Sequence, residues 1–313
     1  MISRRNIRVK VMQTLYSLHS ANAEDFNKSL AKQGKLMLNQ KLEQSLELFT
    51  TLILYTTSVA QYAEYDARHR AAKYLPTEED LAVNIKIAGN QSVWQVVGND
   101  TFTEKVMEAH LEQNIDKGWV KKLYQQLVKT PEYQQYIAAP HREAKSDLIM
   151  FRFIWEGVLK INEAFIEHLA DELAGWEDDA PMLTMLMDNF FKNLAKVNFL
   201  SLISGEKQHY AQELLETVLE KEVVVMEMIK PKLQNWEAER VALIDLILLR
   251  MGVCELLYFP TIPTKVTINE YIDLAKLYST PQSGQFVNGV LDNLLKELSN
   301  EGKIRKQERG LKS

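Results

Sequence analysis

Cysteine is nearly absent: Cys254 is the only one in 313 residues. That excludes an intramolecular disulfide and a cysteine-only metal cluster. Long apolar runs are missing too, since none reaches the roughly 18 residues of a membrane-span candidate. Residues 241–258 come closest, but Asp245, Arg250 and Glu255 interrupt them. The start, M-I-S-R-R-N-I-R, has no apolar stretch behind it, so a secretory signal is not expected and a cytoplasmic protein is. Six histidines, at 19, 69, 110, 141, 168 and 209, form no H-E-x-x-H. Glu163 and His168 are five apart and diverge on a helix. The glycines at 89 and 98 make neither a phosphate-binding loop nor a dinucleotide fingerprint. The expectation is therefore no metal, no cofactor and no catalytic activity. A net charge of −5 argues against broad nonspecific nucleic-acid binding, although it leaves room for a local basic site.

What is present is helical periodicity. Ser3 is a plausible N-cap for a helix running to Leu18, with Ile7, Val11, Leu15 and Leu18 as its buried stripe. Arg5, Arg8, Met12 and Tyr16 run along the adjoining flank. Arg4, Arg5 and Arg8 crowd the first two turns, where the helix dipole disfavours cations by a few tenths to about 1 kcal/mol each. A bound phosphate would relieve that conflict. A solvated basic helix start is the plain alternative, and the cluster alone leaves the two about even.

A long helix over 36–74, carrying Leu42, Leu46, Phe49, Ile53 and Val59, should pack against another. Its basic end, Arg68 to Lys73, suits a helix carboxy terminus. Residues 83–100 alternate weakly; an isolated hairpin is marginal, so a loop with a short helix is expected. Further helices are expected at 101–112, 117–129, 131–138, 143–174, 181–200 and 208–233, with Pro181 early in its helix. The architecture is all-α.

The last third has the clearest punctuation. A helix over 237–258 is apolar nearly all round and belongs inside a bundle; Pro260 and Pro263 end it. A second begins near Thr264, and Thr267 with Glu270 has capping-box spacing. A third carries Phe286, Val290 and Leu294 in one stripe beside Val287, Leu291 and Leu298. Gly289 inside it costs about 1 kcal/mol against alanine, and a closely approaching helix would explain it. Asp245, Arg250 and Glu255, five apart, do not converge; structural pairing at bundle edges is expected. Cys254 reads as a buried, inert thiol.

R-M-G-V-C-E-L, I-P-T-K-V-T-I-N-E-Y-I-D-L-A-K and F-V-N-G-V-L-D resemble, in order and spacing, the carboxy-terminal half of the NusB family of transcription antitermination factors. Q-T-L-Y at 13–16 matches the family's Q-x-L-Y in an arginine-rich first helix. The resemblance implies two packed helical bundles without catalytic activity. It also implies binding of boxA, a short single-stranded element of ribosomal RNA leaders, together with a small-subunit ribosomal protein called NusE, on the RNA polymerase elongation complex. It divides the chain into a basic helix (1–20), a helical insertion (21–205), a carboxy-terminal core (206–300) and a basic tail (301–313).

Carried over residue by residue, the RNA-binding set is Arg4, Arg5, Arg8 and Tyr16 with Tyr278, Gln282, Ser283, Gln285, Phe286 and Asn288. Phe286 fits the buried stripe equally well. Glu239 and Asp245 fall where the family presents acids to its ribosomal-protein partner. Asn6 replaces a frequent basic residue, and Ser279-Thr280-Pro281-Gln282 lacks the family's usual acid. Two rivals stand beside this reading. One is the NusB-like front of a ribosomal RNA methyltransferase, for which no cofactor-binding domain is expected here. The other is a protein-only scaffold of the same fold. The tail from Lys303 to Arg309 is expected to be disordered.

Overall fold

The computed structural model describes residues 2–21, 28–201, 203–233 and 241–307. Among them all regular structure is helical and no strand occurs, so the fold is all-α. In chain order the helices are α1 (Arg4–Ala21), α2 (Lys28–Ala71), α3 (Glu78–Leu81), α4 (Gln91–Val97), α5 (Asp100–Glu108), α6 (Lys117–Leu127), α7 (Pro131–Ala138) and α8 (Ala144–Phe153). There follow α9 (Glu163–Glu172), α10 (Trp176–Lys192), α11 (Gly205–Glu220), α12 (Glu222–Ile229), α13 (Leu243–Tyr258), α14 (Thr264–Tyr278) and α15 (Ser283–Asn300). They form two compact units, a terminal unit of Met1–Leu42 with Ile203–Ser313 and an inserted unit of Glu43–Leu202.

In the terminal unit, α1 packs on α11 and α13, while α13, α14 and α15 pack on one another. Ile7, Val11, Leu15 and Leu18 are all buried, as the stripe required, and Ser3 Oγ accepts from Asn6 N at 3.2 Å to start the helix. The first third of α2, expected inside the insertion, packs here instead. Gly34 lies against Leu18, Leu215 and Leu219, and Lys35 pairs with Glu216. The α13 helix is buried on all sides. Its Cys254 is fully buried, which pushes the thiol up to about 12. Phe286, Val290 and Leu294 of α15 are buried with Val287, Leu291 and Leu298. Residues 234–240 and 308–313 lie outside the described residues, and with the first of these goes the expected start of the α13 helix at 237–240.

The tail differs from expectation over 303–307. Lys306 Nζ donates to the carbonyls of Glu255 (2.8 Å) and Phe259 (2.9 Å), and Gln307 N donates to Pro260 O (2.9 Å). The last carbonyls of a helix lack intrahelical partners, and an ammonium is favoured there. Burial pushes the Lys306 ammonium down to about 8.

In the inserted unit, α4 packs on α5 and α8, α7 on α8, and α9 on α10. Residues 83–100 are a loop, one 3-10 turn (Lys86–Gly89) and α4. The helix expected over 143–174 is broken. A π turn, Ile154–Leu159, follows α8, and Asn162 then caps α9 by accepting from Phe165 N at 2.9 Å. Asparagine competes for backbone donors and so favours caps over helix interiors. Pro181 lies inside α10 rather than near its start. Gly175, at φ 81°, sets that start five residues earlier, at Trp176, by adopting a left-handed conformation that costs glycine little.

Candidate nucleic-acid interface

The three arginines at the start of α1 have different fates. Arg8 is 2% exposed. Its Nε and Nη2 donate to the two oxygens of Glu255 at 2.9 and 2.8 Å, and Nη1 reaches Glu270 at 3.4 Å. Glu255, fully buried, also accepts from Tyr210 Oη (2.7 Å), Thr267 Oγ1 (2.8 Å) and Tyr271 Oη (3.1 Å). Burial alone would push this carboxyl up. The Arg8 guanidinium, with the hydroxyls of Tyr210 and Thr267, outweighs it and holds the carboxyl below the usual range. Arg8 is therefore a structural clamp between α1 and α13, which corrects its assignment to a phosphate. Thr267 belongs to the same cluster rather than to a capping box.

Arg4 and Arg5 stay at the surface, each side chain 36% exposed. Arg4 pairs with Glu206 at 2.8 Å and lies over the Tyr210 ring; Arg5 pairs with Asp273 at 3.2 Å. Exposed pairs of this kind are worth about 0–1 kcal/mol, so a phosphate can displace them. Eleven residues after Arg5, about three turns and 16 Å along the same face, Tyr16 is 44% exposed.

The second set also divides. Ser283 is 1% exposed and donates to Asp245 Oδ2 at 2.7 Å. Its amide-side neighbour Thr280 N donates to Ser283 Oγ at 3.1 Å, fixing the turn before α15. Phe286 is 5% exposed in the core. Neither side chain faces a ligand, so both assignments are corrected. Asp245, 5% exposed, holds Ser283 rather than a partner protein; Glu239 lies outside the described residues. Arg250 pairs with Glu222 at 2.9 Å, so the three charges of α13 have three separate partners, and all three are buried rather than at bundle edges.

Gln282, Gln285 and Asn288 are exposed along one face of α15's first two turns, and Tyr278 is half-buried at the end of α14. Among the described residues no hydrogen bond engages those three amides. Gly289 is on the same face, and a Cβ there would meet open space. No helix approaches it, contrary to expectation. Without a folded-state reason for glycine, Gly289→Ala is expected to raise stability by about 0.5–1 kcal/mol in urea denaturation. Sequence reasoning missed Glu206, Asp273 and Tyr210, which dock on the arginines from more than 200 residues away and leave no local signal.

The NusB family model matches residues 184–296. The transcription antitermination protein NusB of Salinibacter ruber is 46% identical over 104 residues, which are 33% of this chain and 62% of that protein. The NusB of Listeria monocytogenes is 35% identical over 113 residues, 36% of this chain and 82% of that one. A solved T. maritima NusB structure matches at 30% identity over 37% of this chain and 80% of that one, with a TM-score of 0.31. The chain belongs to the NusB family. Among the described residues no helix is long and apolar enough to cross a membrane.

Proposed function

We propose that this chain is a cytoplasmic antitermination factor that binds a boxA-type single-stranded RNA beside a NusE-type ribosomal protein on transcribing RNA polymerase. The observation that carries the reading is the exposed, uncharged amide row Gln282, Gln285 and Asn288 with bare backbone at Gly289. Amides read base edges, and a glycine lets a ligand reach the helix backbone. Arg4 and Arg5 supply phosphate contacts, and Tyr16 and Tyr278 supply rings for stacking. The roles of Arg4, Arg5, Tyr16, Tyr278 and the amides rest on family membership, since relatives bear the name transcription antitermination protein.

Fluorescence anisotropy with boxA RNA and a scrambled control, with and without the NusE-type partner, tests the reading. Two phosphate contacts predict a log–log salt slope of about −1.4 for a single strand, rather than the −2 of three arginines. The expected result is preference for boxA, strengthened by the partner and lost in Arg4→Ala/Arg5→Ala. The two arginines are already paired with acids, which favours a second reading, a protein scaffold of NusB fold. Equal binding of both RNAs with the partner present would select it.

A further inference from the structure

The inserted unit holds a groove of about 1070 Å³, lined by the last third of α2, the segment 112–118 and the exposed side of α6. Its α2 wall is an aromatic ladder. Tyr62 and Tyr65 have ring centroids 5.3 Å apart, and Tyr65 stacks on His69 at 5.9 Å with the planes within 5°. Tyr65 is 60% exposed, far more than a packed core aromatic would be. Across the groove stand Lys117 and Lys121, both exposed and without an ion pair among the described residues.

The remaining charges of the lining are mostly compensated. Arg70 pairs with Asp66 at 3.0 Å and Lys73 with Asp80 at 2.7 Å; Glu112 is the one exposed acid of the lining. The lining is thus positive by excess in a chain whose net charge is −5. Gln61 and Gln125 add amides. The volume is at the upper limit of small-ligand pockets, about 300–1,000 Å³. Rings at stacking spacing, unpaired ammonium groups and amides are the three chemistries that hold unpaired nucleotides: π-faces, phosphates and base edges. An acidic peptide would use the lysines but leave the ladder unexplained.

We propose that this groove of the inserted unit binds a short stretch of single-stranded RNA without sequence selection, a base stacking on Tyr65 and phosphates lying on Lys117 and Lys121. The proposal does not depend on boxA recognition, because the groove is built wholly from residues 54–125. Its effect would be to add a nonspecific foothold to any RNA the protein holds.

The test is anisotropy of labelled U12 RNA with the full-length Arg4→Ala/Arg5→Ala protein, which removes the arginines of the other candidate surface. Tyr65→Ala is expected to weaken binding roughly 5- to 150-fold, the range of one lost base stack. Tyr65→Phe, which keeps the ring, is expected to stay within about twofold of the parent. Lys117→Ala/Lys121→Ala should flatten the log–log salt slope by about 1.4. Duplex RNA of equal length should bind at least about tenfold more weakly, since its bases are not free to stack. All three groove side chains changed are exposed, and circular dichroism verifies that each variant is folded. Absence of U12 binding, or binding indifferent to both Tyr65→Ala and the lysine pair, overturns the proposal. So does displacement of U12 by polyglutamate with Tyr65→Ala silent, which assigns the groove to an acidic protein segment.

Discussion

Replacing Glu255 by alanine is expected to cost about 3–5 kcal/mol, because it leaves the Arg8 guanidinium charged, buried and unpaired. In the terminal unit one carboxylate takes both prongs of Arg8 and three hydroxyls from α11 and α14. Removing it orphans all of them at once. Arg8→Met/Glu255→Leu together should recover only part of the loss, since the apolar pair removes the stranded charge but leaves the buried hydroxyls of Tyr210, Thr267 and Tyr271 without an acceptor. If Glu255→Ala cost less than about 1 kcal/mol in urea denaturation, the clamp would not be what secures α1.

The pH dependence has a definite sign. Glu255 is depressed in the folded state, so its contribution is complete above the ordinary glutamate value of about 4.3 and is lost as pH falls through the lower folded value. Stability of the parent should therefore decline below about pH 4.3. The gap between the parent and Glu255→Gln should narrow over the same interval. A constant gap down to strongly acid pH would contradict the depressed carboxyl.

Asp147→Ala is expected to have the next largest effect, about 3 kcal/mol, this time in the inserted unit. Asp147 is fully buried; Oδ1 accepts from Tyr136 Oη at 2.6 Å and Oδ2 from Gln91 N at 2.8 Å. Its carbonyl accepts from Asn90 Nδ2 at 2.8 Å, while Asn90 Oδ1 caps α4 through Ser92 N. One residue thus ties the start of α4 and the end of α7 to α8. Alanine leaves a buried phenol and a helix-start amide without acceptors, and bonds to charged groups are worth about 1.5–3 kcal/mol each. Asp147→Asn keeps one acceptor oxygen and should lose about half as much. Equal loss in both variants would mean that charge, rather than acceptor geometry, dominates the site.

Both sites bear on what is readable in the chain itself. Periodicity located most of the helices and their buried stripes, because a helical face repeats every three to four residues and the pattern is local. Ser3 as a cap, the short helices after 100 and the interior stripe of α15 follow from that locality. So does the family, whose motifs lie in α13 to α15 and whose match covers 184–296. The breaks at Asn162 and Gly175 were less legible, since a cap or a left-handed glycine competes with an otherwise continuous apolar pattern.

What only tertiary structure decided is which polar residues are available to a ligand. Arg4, Arg5 and Arg8 are chemically equivalent on one helix, yet a carboxylate 247 residues away takes Arg8 into the interior and leaves the other two at the surface. Ser283 and Asp245 each resemble a surface group and instead bond to each other in the core. Gly289 resembles a packing glycine and faces open space. For Arg8, Ser283 and Asp245 the deciding partner is remote in the chain. Burying a charge or hydroxyl is tolerable only when that partner arrives, so exposure is a property of the assembled bundle, whereas helix, stripe and cap are properties of the local chain.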